Sequence, residues 1–172
     1  MGGFAVSARA EPRFTRDVDV AVAVADDSEA ELLVRDLLGA GYHLSASVEQ
    51  EATGRLATAR LVSMPVRAAE QVIVDVLFAS SGIEPEIVAA ADTIEIIPEL
   101  TLPVATIGHL MALKVLARDD ETRPQDLADL RALLSVATHE DVDQARSAVR
   151  LITKRGFHRN RDLAGALDEL VR

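Results

Sequence analysis

The first strong pattern in the chain is the alternation DVDVAVAVA at 17–25, which reads as a strand with Val18, Val20, Val22 and Val24 on one face. Asp17 and Asp19 then share the opposite face. After Ser28, read as an N-cap with Glu31 completing a capping box, EAELLVRDLLGAG has helical spacing and stops at Gly39 and Gly41. Alternation resumes in HLSASVEQ and RLATARLVS, and the Thr53–Gly54 turn between them predicts an antiparallel pair. QVIVDVLFA at 71–79 predicts a buried central strand. A short helical stretch at 85–91 and two brief extended segments near 93–97 and 100–105 follow. From there the spacing is helical, over 106–117, 124–136, 139–154 and 160–171, with Thr106, Thr138 and Asn160 as caps. Strands first and helices afterwards predict the α+β class: a small mixed sheet with flanking helices over 1–105, and a C-terminal helical cluster over 106–172 packed with it as one unit.

Composition narrows the picture. With 49% apolar residues but one Tyr, four Phe and no Trp, the core must be filled by Val, Leu, Ile and Ala, and aromatic platforms for stacking bases are not expected. The absence of cysteine excludes disulfides, thiolate nucleophiles and cysteine zinc sites, which fits a reducing cytoplasm. Apolar runs are far shorter than the roughly 20 residues a bilayer span needs, so no membrane association is expected. Net charge is −10, which speaks against indiscriminate nucleic-acid binding. The segment from Arg150 to Arg172, however, carries six basic residues against three acidic ones.

Asp75 stands out because a carboxylate in the middle of VIVDVLF is desolvated unless something compensates it. A cation held with Asp17 and Asp19, which point the same way from their strand, is one solution. Pairing of Asp75 with one of the many arginines is the other. None of His43, His109, His139 and His158 forms a ligand pair or nucleophile arrangement. No Walker loop, Rossmann fingerprint or nucleophile elbow is present.

The stretch before the acidic pair adds to this. GGFAVSARAEPRFTRDVDV places Gly2 and Gly3 thirteen residues before Asp17-Val18-Asp19, with Arg13 and Thr15 between. That string resembles the minimal nucleotidyltransferase signature of the polymerase-β superfamily, and its finer pattern looks like the AbiEii and MenT branch of toxin nucleotidyltransferases. MALKVLARDDETRPQDLADL is similar to the Leu-Lys, Arg, Asp-x-x-Asp region of that branch. The resemblance implies that Asp17, Asp19 and Asp75 bind Mg²⁺ or Mn²⁺, and that Gly2, Gly3 and Lys114 hold the phosphates of a nucleoside triphosphate. Arg13 or Arg9 would neutralise developing charge. Lys114 lies at helical spacing from Ile107, Leu110 and Met111, which also suits a snorkelling surface lysine. Asp126 and Asp129 face one way on the next helix; either orients Lys114 or contacts nucleotide, and either also suits a first-turn carboxylate, with Asp129 the preferred partner.

Two departures matter. Gly3 stands where many relatives have Ser, leaving Ser7 as the speculative hydroxyl, and the motif begins at residue 2 whereas relatives place a helix and a short strand before it. By resemblance the expected function is a toxin adding nucleotides to the 3′ acceptor end of tRNA and restrained by an antitoxin. Transfer to a small molecule such as an antibiotic, or an inactive nucleotide-binding module, are the alternatives. The basic run KRGFHRNR at 154–161, extended by Arg9, Arg13 and Arg16, is the expected tRNA contact, although a basic turn closing a helix would look the same.

Overall fold

A computed structural model describes residues 1–51, 53–63 and 71–172. A first helix, α1 (Gly2–Arg9), leads into strand β1 (Asp17–Ala21), helix α2 (Asp27–Gly39), and strands β2 (Tyr42–Glu49), β3 (Leu56–Ser63) and β4 (Ile73–Leu77). Helix α3 (Glu84–Ala89) and the hairpin β5 (Asp92–Ile97) and β6 (Leu100–Val104) follow. Four helices close the chain: α4 (Ile107–Ala117), α5 (Pro124–Val136), α6 (His139–Lys154) and α7 (Leu163–Val171). This is the α+β arrangement expected from the order of patterns.

The main sheet has the order β1-β4-β3-β2, with β1 parallel to β4 and the other neighbours antiparallel. QVIVDVLFA is thus an interior strand. β1 is shorter than its alternation, because β4, the strand it pairs with, ends at Leu77; only the Val22 amide continues the ladder, donating to the Leu77 carbonyl. The sheet separates two apolar clusters. On one face, α2 covers Ala59, Leu61, Val76 and Phe78 through Ala30, with Val22 and Val24 packed at the margin. On the other, α1, α3 and α4 to α7 share one continuous core around Val6, Ile83, Met111, Leu130, Ile152 and Leu167. Helix α1 therefore packs with the C-terminal helices, although it lies next to β1 in sequence.

Two caps differ from expectation. Asp26, not Ser28, caps α2: its carboxylate accepts from the Glu29 amide at 3.0 Å, while Glu29 reaches back to the Ala25 amide at 2.7 Å. Asp162, not Asn160, caps α7 by accepting from the Gly165 amide at 2.9 Å. A carboxylate three residues before a free amide satisfies the helix end and adds negative charge at the positive pole, so it wins over a neighbouring hydroxyl or amide. Thr106 and Thr138 cap as expected, the latter in a full capping box with Asp141.

Candidate functional site

Strand alternation decides which side chains meet. On β3 the buried positions Ala57, Ala59 and Leu61 face α2, which turns Thr58 and Arg60 to the other side. On β4 the same rule sends Val76 to α2 and Asp75 to the opposite face, and on β1 it places Asp17 and Asp19 there too. The registers set Asp19 beside Asp75 and Asp75 beside Arg60. Three carboxylates and one guanidinium so line the floor of a cavity of about 830 Å³ between this face and α4 and α5.

Asp75 is 8% exposed and is held by Arg60 in a bidentate pair, Nε to Oδ1 at 2.8 Å and Nη2 to Oδ2 at 2.6 Å. Arg60 also reaches Asp17 at 3.4 Å. Those carboxylates hold the Arg60 pKa well above the usual arginine range. The compensation for the buried carboxylate is thus an arginine of the neighbouring strand. Asp19 is different. Among the described residues no hydrogen bond or ion pair reaches its carboxylate; burial first, then the charges of Asp75 and Asp17, push its pKa up against the pull of the Met1 ammonium and Lys114.

The glycine pair fits against this floor. Gly2 has φ +67°, and a Cβ there would lie 1.7 Å from an Asp19 carboxylate oxygen; one at Gly3 would lie 2.8 Å from the Arg13 guanidinium and 2.9 Å from the Thr15 hydroxyl. Only glycine lets the start of α1 come this close to the acidic strand. Ser7 lies elsewhere: its hydroxyl is bonded to the backbone of Arg13, fastening the α1–β1 connection, and does not line the cavity. Hydroxyls at the cavity come instead from Thr15, Thr58, Ser80 and Ser81. Buried Glu84 holds the last two, accepting from both hydroxyls at 2.9 Å and from the Ser81 amide at 2.7 Å.

The opposite wall is a charge clamp. Lys114, 8% exposed on α4, donates to Asp126 and Asp129 of α5 at 2.7 Å each. Asp129 also takes Arg13 in a bidentate pair at 2.6 and 2.8 Å, and Asp126 takes Arg123 at 2.9 Å. Burial raises the Asp129 pKa, but the hydrogen bonds from Arg13 and Lys114 outweigh it and hold the carboxyl below its ordinary value. Both aspartates therefore orient Lys114; Asp129 ties it to α1's following loop, while Asp126 lines the cavity. Lys114 is buried against carboxylates, not snorkelling.

Sequence reasoning missed Arg60, Ser80, Ser81 and Arg123 as cavity residues. The signal for Arg60 was present: it is the only charged residue of ATARLVS, on the face away from Leu61. The basic run behaved differently from expectation. Arg155 is spent on the Gly82 carbonyl and Glu86, Arg161 on the Leu116 carbonyl, and Arg9 on Asp92 and the carbonyls of Val104 and Ala105. Arg16 and Arg159 line the cavity.

An Asp-x-Asp strand under a glycine turn, faced across a polar cavity by a carboxylate-held lysine, is the arrangement that the resemblance to nucleotidyltransferases implies. The family comparison agrees. Residues 1–171 match the model of the nucleotidyl transferase AbiEii toxin, type IV toxin–antitoxin system, and the chain belongs to that family. No curated protein matches it. Among solved structures, the crystal structure of JHP933 from Helicobacter pylori is 19% identical with a TM-score of 0.37, over 97% of this chain and 77% of that one, a likeness too loose to carry an argument.

Proposed function

We propose that this chain moves a nucleotidyl group from a nucleoside triphosphate to a hydroxyl at the 3′ acceptor end of tRNA, and that an antitoxin restrains it. The observation that supports transfer chemistry is the partnerless Asp19 carboxylate set between Asp17 and Asp75, opposite Lys114. Three clustered carboxylates that share a single arginine, Arg60, and leave Asp19 unpaired suit a hard divalent ion such as Mg²⁺ or Mn²⁺. Among the described residues the acidic groups are not gathered into a ready set of three ligands, since Asp75 faces Arg60. Ion binding by Asp17, Asp19 and Asp75 accordingly requires Arg60 to release Asp75. When bound, such an ion neutralises phosphate charge and aligns the reacting oxygens.

The residues then have distinct tasks. Gly2 and Gly3 bring backbone amides close to the triphosphate, and Lys114, fixed by Asp126 and Asp129, supplies a point charge to it. Asp75, once free of Arg60, accepts the proton of the acceptor hydroxyl. That oxygen attacks the α-phosphorus, the bond to the β-phosphate oxygen breaks, and pyrophosphate leaves. Arg13, fixed by its bidentate pair with Asp129, also lines the cavity and adds positive charge beside the triphosphate.

One observation favours a second acceptor. Most cations expected to hold RNA are engaged within the fold, which leaves a small hydroxylated molecule as the competing acceptor. Incubation with each labelled triphosphate and total tRNA decides: label should enter tRNA. Pyrophosphate release that depends on a small hydroxylated compound and ignores RNA would move the assignment to that class.

A further inference from the structure

The turn between α6 and α7 holds a side chain that the transfer reading leaves without work. Arg159 and Asn160 both have left-handed backbone, φ +52° and +55°, which asparagine tolerates and which is uncommon for arginine. The turn is held on either side. Phe157 is buried against Gly82, where a Cβ would come within 2.5 Å of its ring, and its amide donates to the Ile152 carbonyl. Arg155 clasps Glu86 and the Gly82 carbonyl, and Arg161 donates to the Leu116 carbonyl at 2.9 Å. These anchors pin the turn to α3, α4 and α6 and present Arg159 to the cavity.

At the cavity Arg159 has no hydrogen bond or ion pair among the described residues. The residue is exposed where it lines the cavity, and the charges that act on it there, Arg123 and Arg161, are like its own. Arg123 lines the same wall and is still half-exposed beside Asp126. A pinned turn that delivers an unpaired guanidinium next to a second one is a site awaiting an anion.

We propose that Arg159, with Arg123, forms an anion subsite for the terminal phosphate of the nucleoside triphosphate. Placement favours the triphosphate over an RNA phosphate, because Arg123 and Lys114 sit on the same carboxylate, Asp126, so the subsite continues the line of cations from the lysine. The subsite gives the cleft a preference for triphosphates over monophosphates, and it steadies the pyrophosphate as it leaves. This deepens the transfer reading and rests on it.

Calorimetric titration of the full chain with inorganic tripolyphosphate, without RNA, tests the subsite separately from turnover. Arg159→Gln should weaken tripolyphosphate binding about tenfold or more, the loss of a charge-assisted contact, and Arg159→Lys should recover part of it. Binding of a nucleoside monophosphate should be unchanged in both variants. Equal tripolyphosphate affinity in wild type and Arg159→Gln overturns the subsite, as does a defect confined to the KM for tRNA, which would make Arg159 an RNA-phosphate contact. A wild type that binds tripolyphosphate through Arg159 yet transfers no nucleotide would keep the subsite and reject the transfer reading.

Discussion

Arg60 and Asp19 show how the same acidic face is stable in one place and unbalanced in the next. Asp75 is neutralised by a bidentate guanidinium, a strong geometry for a carboxylate, while Asp19 beside it has no such partner and burial pushes its pKa up. A folded-state pKa raised above the unfolded value means that ionised Asp19 works against folding at neutral pH. Asp19→Asn should therefore melt at the same temperature as wild type or higher, as measured by scanning calorimetry at pH 7. A clearly lower melting temperature would show that the carboxylate is structurally paired. Lys114 is the reverse case. Lys114→Met removes a buried cation from two buried carboxylates, and a loss on the order of 3 kcal/mol is expected by chemical denaturation. A surface-like loss of a few tenths would mean that Arg13 and Arg123 suffice for the pair.

Elements place these residues, and most elements were readable from period alone. The alternation in DVDV put Asp17 and Asp19 on one face, but that Asp75 of QVIVDVLF shares it follows only from the parallel pairing of β1 with β4. Arg60 could be placed on its strand, but its meeting with Asp75 depends on register, which is set by residues far apart in sequence. Lys114 could be put on a helix, but not under two carboxylates, because that contact arises from how α4 and α5 cross. In the basic run, charge counting cannot see that Arg155 and Arg161 are occupied by carbonyls and a carboxylate from other elements while Arg159 lines the cavity. Caps divided by chemistry, with Thr138 legible and Asp26 overlooked in favour of Ser28. Thr138→Ala, which breaks the reciprocal bonds with Asp141, should lower stability by about 1 kcal/mol, read from the denaturation midpoint. An unchanged midpoint would show that α6 is held by packing alone.

Across the whole molecule, the cleft lies between the sheet's acidic face and the helical core, and α1 ties them by packing on α4 and α5 while touching β1. Asp129 is the electrostatic version of that tie, joining α5 to α4 and to the loop after α1. Its folded pKa lies below the ordinary 3.8, so its contribution is fully present above that pH and is lost as pH falls through the lower folded value. Asp129→Asn should flatten the acid limb of the stability curve below pH 3.8 and lower stability at pH 7. An acid limb identical to wild type would remove Asp129 from that role.

The chain belongs to the AbiEii nucleotidyl transferase toxin family, and no helix among its described residues is long and apolar enough to cross a membrane. Pyrophosphate release tests most directly whether the Asp17, Asp19 and Asp75 face performs nucleotidyl transfer. Wild type and Asp19→Asn should be compared with nucleoside triphosphates, Mg²⁺ and total tRNA. Wild type should release pyrophosphate in step with label entering tRNA, and the variant, though at least as stable, should fall by roughly a hundredfold or more, as removal of a main electrostatic contributor does. Release undiminished in the folded variant would contradict the account.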